Sequence, residues 1–158
     1  MIMVYMGGHV SGGHYNPAIT IGALVRRKID FHDTILYVVA QVIGGVFALL
    51  IAQVLAGPVA SVIPQTVHLG RAMLAEFLFT FALVSMVLNV AYTKATAGNS
   101  YYGFAIGAVV MVGVFAVGGI SGGAFNPAIS LWCMFMANSF EFAGGYIGTQ
   151  VLAAITAA

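Results

Sequence analysis

Apolar positions in this chain fall in long unbroken runs, without the regular polar face of a soluble helix. Thr34–Gly57 is uncharged, and Ala95–Phe140 contains no Asp, Glu, Lys or Arg. About 20 mostly apolar residues are enough to cross a hydrocarbon core roughly 30 Å thick. The runs predict four spanning helices, at about Asp33–Ala56, Arg71–Tyr92, Tyr101–Gly118 and Ala143–Ala158, the last one short. Polar breaks at Ser61–Gly70 and Thr93–Ser100, carrying Pro, Gly, Asn and Thr, predict connecting loops.

Two shorter apolar runs follow copies of a single segment. His9–Thr20 reads HVSGGHYNPAIT, and Gly119–Ser130 reads GISGGAFNPAIS, with seven of twelve positions identical. The correspondence continues beyond them, because Tyr37–Ala48 aligns with Tyr146–Ala157 through Tyr37/Tyr146, Gln41/Gln150 and Val42/Val151. The chain thus reads as two copies of one unit, over 1–57 and 70–158. An odd number of spans per copy would insert them in opposite orientations, a recurrent transporter and channel design.

Asn is a strong N-cap residue and Pro is favoured at the first helical position. Asn16-Pro17 and Asn126-Pro127 therefore predict helices that end near Arg26 and near Asn138. About a dozen residues rise only ~18 Å, which is half a crossing. Irregular backbone at membrane depth survives where it is buried in protein or lines a wet cavity. That role falls to the Ser-Gly-Gly segments, with Gly12, Gly13, His14, Gly122 and Ala124 as candidate pore-lining backbone. Two inverted half-helices would meet N-terminus to N-terminus, each end carrying about half a positive charge. If each Asn oxygen caps its own helix, the amide donors of Asn16 and Asn126 are left to face the lumen. Such a site predicts a passive pore for small neutral molecules that disfavours protons and metal ions.

Composition narrows the class. Hydrophobic residues make up 61% of the chain and charged residues 6%, against about 25% charged in soluble domains. A net charge of +1 offers no electrostatic case for nucleic acid. The single Cys133 excludes an intramolecular disulfide and reads as a small apolar helix residue. Arg26, Arg27, Lys28 and Lys94 fall on one side and Arg71 on the other, which makes the first side cytoplasmic. Ala40, Gly44, Ala48, Ala52 and Ala56 form a small-residue row, with shorter ones at Gly103/Gly107 and Gly144/Gly148, all suited to close helix packing in lipid. Glu76 is the ionisable residue well inside a span, so a functional or structural role is expected of it. His9 and His14 read as loop hydrogen-bonding residues. No nucleophile–base pair or metal triad can be assembled, so the residues imply neither an enzyme nor a cofactor.

The paired Asn-Pro-Ala boxes (Asn16, Pro17, Ala18 and Asn126, Pro127, Ala128), Gln41, Gln150 and AEFLFTF at Ala75–Phe81 together resemble the aquaporin/aquaglyceroporin (major intrinsic protein) family over essentially the whole chain. The resemblance implies an all-α transmembrane fold, an inverted repeat of spans with two re-entrant half-helices. It implies one pore per monomer and assembly as a homotetramer in the plasma membrane. Six spans are usual in that family. By this alignment residues 1–57 hold the end of span 2, the first loop and half-helix, and span 3. Residues 70–158 hold spans 4 and 5, the second loop and half-helix, and most of span 6, and Met1 is then an internal start or a fragment boundary. Glu76 is expected to accept backbone N–H groups of an irregular loop. Val114, Gly123 and Ile129 take three selectivity-filter positions. The family usually has Arg where this chain has Ile129, and a unit charge at ~4 Å is worth about 4 kcal/mol at an effective dielectric of 20. Its absence predicts a pore less strict for water, admitting glycerol, urea or ammonia. The competing readings are a weakly selective ion pore on the same fold and a non-conducting packing or adhesion module.

Overall fold

The computed structural model describes residues 1–57, 68–137 and 139–158. Its helices are α1 (Ile2–Ser11), α2 (Pro17–Val25), α3 (Phe31–Ala56), α4 (Leu69–Tyr92), α5 (Tyr102–Ser121), α6 (Pro127–Met136) and α7 (Ala143–Ala157), with 3₁₀ turns at Lys94–Thr96 and Phe140–Phe142. No strand occurs among the described residues. The fold is all-α, and α3, α4 and α5 are each long and apolar enough to span a bilayer, with mean hydropathies of 2.5, 2.0 and 2.3. The protein is an integral membrane protein.

Local chemistry sets the ends. Helix α3 starts at Phe31, before the uncharged run, because the Asp30 carboxylate accepts the Asp33 amide at 2.8 Å and caps it. Helix α5 runs on to Ser121 and stops where Gly122 turns left-handed at φ 87°. Helix α4 begins at Leu69, so Leu69 and Gly70 of the predicted loop are helical. Most of that loop, and Asn138 at the predicted end of the second half-helix, lie outside the described residues.

Helix α4 is the hub, packing on α2, α5 and α7. Its Leu83, Val84, Val87, Leu88 and Val90 join Ala18, Ile19, Ile106, Phe125 and Ala154 in the main core. A second cluster (Ala72, Met134, Ala143, Tyr146) seats α6 and α7. Glycine permits the closest crossings. A Cβ at Gly22 would lie 2.5 Å from Val84 Cγ1, and one at Gly113 would lie 2.6 Å from the Phe125 ring.

The small-residue rows behave differently from expectation. Gly103 and Gly107 do receive a neighbour, the Tyr5 ring of α1 and Met1 just before it. On α3, however, Ala40, Gly44, Ala48 and Ala56 are exposed, and nothing among the described residues lies within 4 Å of a Cβ built at Gly44. Gly144 and Gly148 of α7 are likewise open. The glycine of α3 that is used is Gly45, where a Cβ would meet the Trp132 ring at 2.9 Å. An aromatic ring inserted from α6 sets the approach there. The rest of α3 presents Ile35, Val39, Ile43, Phe47 and Val54 outward, a face suited to lipid.

Candidate functional site

Each Asn of the repeated boxes caps the half-helix that follows it. Asn16 Oδ1 accepts the Ala18 amide at 2.9 Å, and Asn126 Oδ1 accepts the Ala128 amide at 3.0 Å. Pro17 and Pro127 occupy the first helical position, where their missing N–H costs nothing. The carboxamide nitrogens then cross from one loop to the other. Asn16 Nδ2 donates to Phe125 O at 2.8 Å, and Asn126 Nδ2 donates to Tyr15 O at 3.0 Å. These reciprocal bonds hold the half-helices N-terminus to N-terminus. They also correct the expectation that the carboxamide donors are left free. One hydrogen of each Nδ2 is spent on the opposite loop, and one remains unused by these bonds.

This arrangement needs unusual backbone. Gly12 and Gly13 have φ of 72° and 63°, and Gly122 and Gly123 have 87° and 66°. These are left-handed conformations that glycine adopts without penalty. Tyr15 and Phe125, at φ 45° and 46°, adopt the left-handed region despite their side chains. A left-handed residue just before each Asn turns its carbonyl towards the opposite carboxamide. The sequence reading missed the Tyr15 and Phe125 carbonyls. The signal available was the aromatic that precedes Asn in both copies.

The second loop is fastened by Glu76. Its Oε1 accepts Ser121 Oγ at 2.7 Å and the Ala124 amide at 3.0 Å. Its Oε2 accepts the Phe125 amide and Gln150 Nε2, both at 2.7 Å. The residue is fully buried, and four donors offset the desolvation of its carboxylate. The aligned pairs of the two copies make matching bonds. Tyr37 and Tyr146 each donate to the carbonyl of the loop serine, Ser11 at 3.0 Å and Ser121 at 3.1 Å. Gln41 and Gln150 each donate to the hydroxyl one turn beyond the capping Asn, Thr20 at 2.9 Å and Ser130 at 2.8 Å.

The first loop has a different fastening. His14 is buried, with Nδ1 3.1 Å from Thr20 Oγ1 and Nε2 bonded to the Tyr92 hydroxyl at the end of α4. Its ring also leans on Tyr37, with centroids 5.3 Å apart. His14 thus hydrogen-bonds within and across the loop as expected, but Tyr92 and Thr20 were not anticipated as its partners.

A cavity of about 660 Å³ runs along these loops. Gly12, Gly13, His14, Asn16 and Asn126 of the loops contribute polar groups to its lining. Its apolar lining comes from Val4 of α1, Leu83, Val87 and Val90 of α4, and Ile106 and Val110 of α5. Ile129 also lines it. Gly122, Gly123, Ala124 and Val114 are not among its lining residues. Gly123 instead packs on Val114, where a Cβ would lie 3.3 Å from the Val114 Cα. Pro17, Ala18, Pro127 and Ala128 are buried behind the lining as the starts of the half-helices. Cys133 is a buried free thiol in α6.

The profile of the Major intrinsic protein family matches residues 1–158. A putative aquaporin, NIP4-1 of Arabidopsis thaliana, is 33% identical over 99% of this chain and 56% of its own length. Nodulin-26 of Glycine max is 32% identical over 99% of this chain and 59% of its own length. The glycerol uptake facilitator protein-like 6 of Lactiplantibacillus plantarum is 34% identical over 82% of this chain and 63% of its own length. The chain spans between half and two thirds of the length of these relatives. With a family match from end to end and paired half-helices capped by reciprocal asparagines, the chain belongs to the major intrinsic protein family.

Proposed function

We propose that this chain forms a passive transmembrane conduit for water and small uncharged solutes such as glycerol, urea or ammonia. The observation that carries the reading is the reciprocal pair of Asn bonds, which fixes one remaining N–H of Asn16 and one of Asn126 beside a cavity lined by both polar and apolar groups. A permeant oxygen passing there meets two fixed donors and two positive helix ends, while the apolar lining limits how tightly it is held. Cations meet an unfavourable potential at the same place. In this reading Asn16 and Asn126 orient the permeant, Ile129 narrows the wall of the conduit, and Glu76 keeps the second loop rigid. The conduit acts in the plasma membrane as a homotetramer, with the segments at Arg26–Lys28 and Lys94 on the cytoplasmic side.

Stopped-flow osmotic swelling of proteoliposomes containing the purified chain tests this. Swelling above that of protein-free vesicles is expected, and swelling equal to theirs would overturn it. A second reading, a weakly selective ion pore, is favoured by Ile129, an apolar residue lining the cavity at the position where the family resemblance implies an Arg. Steady conductance in planar bilayers without osmotic water flux would select it. Within the first reading, Ile129→Arg should lower the glycerol-to-water permeability ratio severalfold, since a close unit charge is worth about 4 kcal/mol at an effective dielectric of 20. An unchanged ratio would remove Ile129 from the filter.

A further inference from the structure

The two half-helices end in different chemistry. Three of the chain's five basic residues, Arg26, Arg27 and Lys28, follow α2, whereas Met136, Ala137 and Asn138 stand at the matching positions of the second copy. The repeated fold therefore does not itself require the charge. Two backbone bonds close the end of α2, from the Arg27 amide to Leu24 O and from the Lys28 amide to Ala23 O, both at 2.8 Å. They hold Arg27 left-handed at φ 55°. Glycine is the usual residue at such a helix end, so the chain keeps an arginine there against local backbone preference.

The side chains are placed to receive an anion. Arg26 is tied to α7, its Nη1 donating to Ala158 O at 3.2 Å. Arg27 and Lys28 line a pocket of about 410 Å³ together with Leu24, Ile29 and Asp30. Among the described residues neither cation has an acidic partner. The two nearby carboxylates are engaged on α3, where Asp30 caps the Asp33 amide at 2.8 Å and Asp33 Oδ1 lies 3.6 Å from His32 Nδ1. The pocket also sits where the chain enters lipid, because α3 begins three residues after Lys28 and exposes the apolar Phe31, Ile35 and Leu36.

We infer that this pocket is a binding site for an anionic phospholipid, whose phosphate pairs with Arg27 and Lys28 while its acyl chains lie along the exposed start of α3. The Arg27 guanidinium suits two phosphate oxygens at once, and the Lys28 ammonium adds a point charge. A general excess of positive charge has no required position within a loop, whereas this site needs these two residues side by side. The inference is independent of the conduit reading, since binding is measured without conduction.

Native mass spectrometry of the detergent-solubilised chain, titrated with phosphatidylglycerol or with phosphatidylcholine of the same acyl chains, tests it. Phosphatidylglycerol should bind more tightly, by roughly fivefold for each basic residue that it engages. Arg27→Gly returns the left-handed position to its usual residue, so that variant should fold at least as stably and yet lose roughly fivefold in affinity for phosphatidylglycerol. Lys28→Gln should lose a similar factor, and the double variant should bind the two lipids alike. Arg71→Gln and Lys94→Gln make the same change of charge elsewhere and should bind as the wild-type chain does. Free glycerol 3-phosphate at the concentration of the lipid should displace nothing. Equal binding of both lipids by the wild-type chain overturns the inference, as does an equal loss in Arg71→Gln or Lys94→Gln. Displacement by glycerol 3-phosphate would make the pocket a site for soluble phosphates and overturns the lipid assignment.

Discussion

The two Asn-Pro-Ala loops share a sequence and a backbone path yet are held in different ways. Behind the second, Glu76 of α4 gathers Ser121, the Ala124 and Phe125 amides and Gln150. The corresponding positions of the first loop are Ser11, His14, Tyr15 and Gln41, and all four line a cavity of about 580 Å³ against α3. Among the described residues no carboxylate reaches them. The first loop leans on the His14 ring instead, through Thr20 and Tyr92. Burial follows the same divide. Tyr146 and Gln150 are fully buried, whereas their counterparts Tyr37 and Gln41 are half-buried. One backbone shape can therefore be kept by a buried ion with four donors or by a neutral side-chain chain, and the two differ in what breaks them.

The sharpest break is at the ion. Glu76→Ala strands four donors in the core, and thermal unfolding in detergent should report a loss of about 3–5 kcal/mol. His14→Ala in the first loop should cost less, about 1–3 kcal/mol, because the groups released are neutral. Equal losses would refute the asymmetry drawn here. Gly13→Ala and Gly123→Ala should cost about 1–2 kcal/mol each and be similar, since both lie at positive φ of nearly the same value. A large difference between those two would show that the shared backbone path is not equally demanding. The smallest effect compares the tyrosines. Tyr146→Phe should destabilise by about 1 kcal/mol and Tyr37→Phe by less, because the Ser11 carbonyl can be rehydrated more readily at a half-buried site.

Much of this organisation was readable before any coordinates. Asn followed by Pro marked the starts of α2 and α6, because capping and proline preference are local effects. The pairs Tyr37/Tyr146 and Gln41/Gln150 appeared as aligned positions, although their shared partners could not be named. The long apolar runs placed α3, α4 and α5 to within a few residues. Other features were hidden. The carbonyls of Tyr15 and Phe125 belong to the backbone, and no residue type announces a carbonyl that receives a distant carboxamide. Tyr92 sits at the end of a span, 78 positions from His14, beyond the reach of any spacing rule. The use of Gly45 was hidden as well, because the side chain that packs on it, Trp132, lies 87 positions away in sequence.

What the residues determined unaided were the properties that depend on a few neighbours: which runs enter lipid, where two half-helices begin, and that one unit occurs twice. Tertiary structure alone decided which groups of the two loops meet. It spent one hydrogen of each capping Asn on the opposite loop, placed Glu76 behind the second, and gave the first His14 with Thr20 and Tyr92. The reason is physical. Polar groups taken out of water must find partners wherever the fold brings them, and that requirement fixes distances in space without fixing separations along the chain.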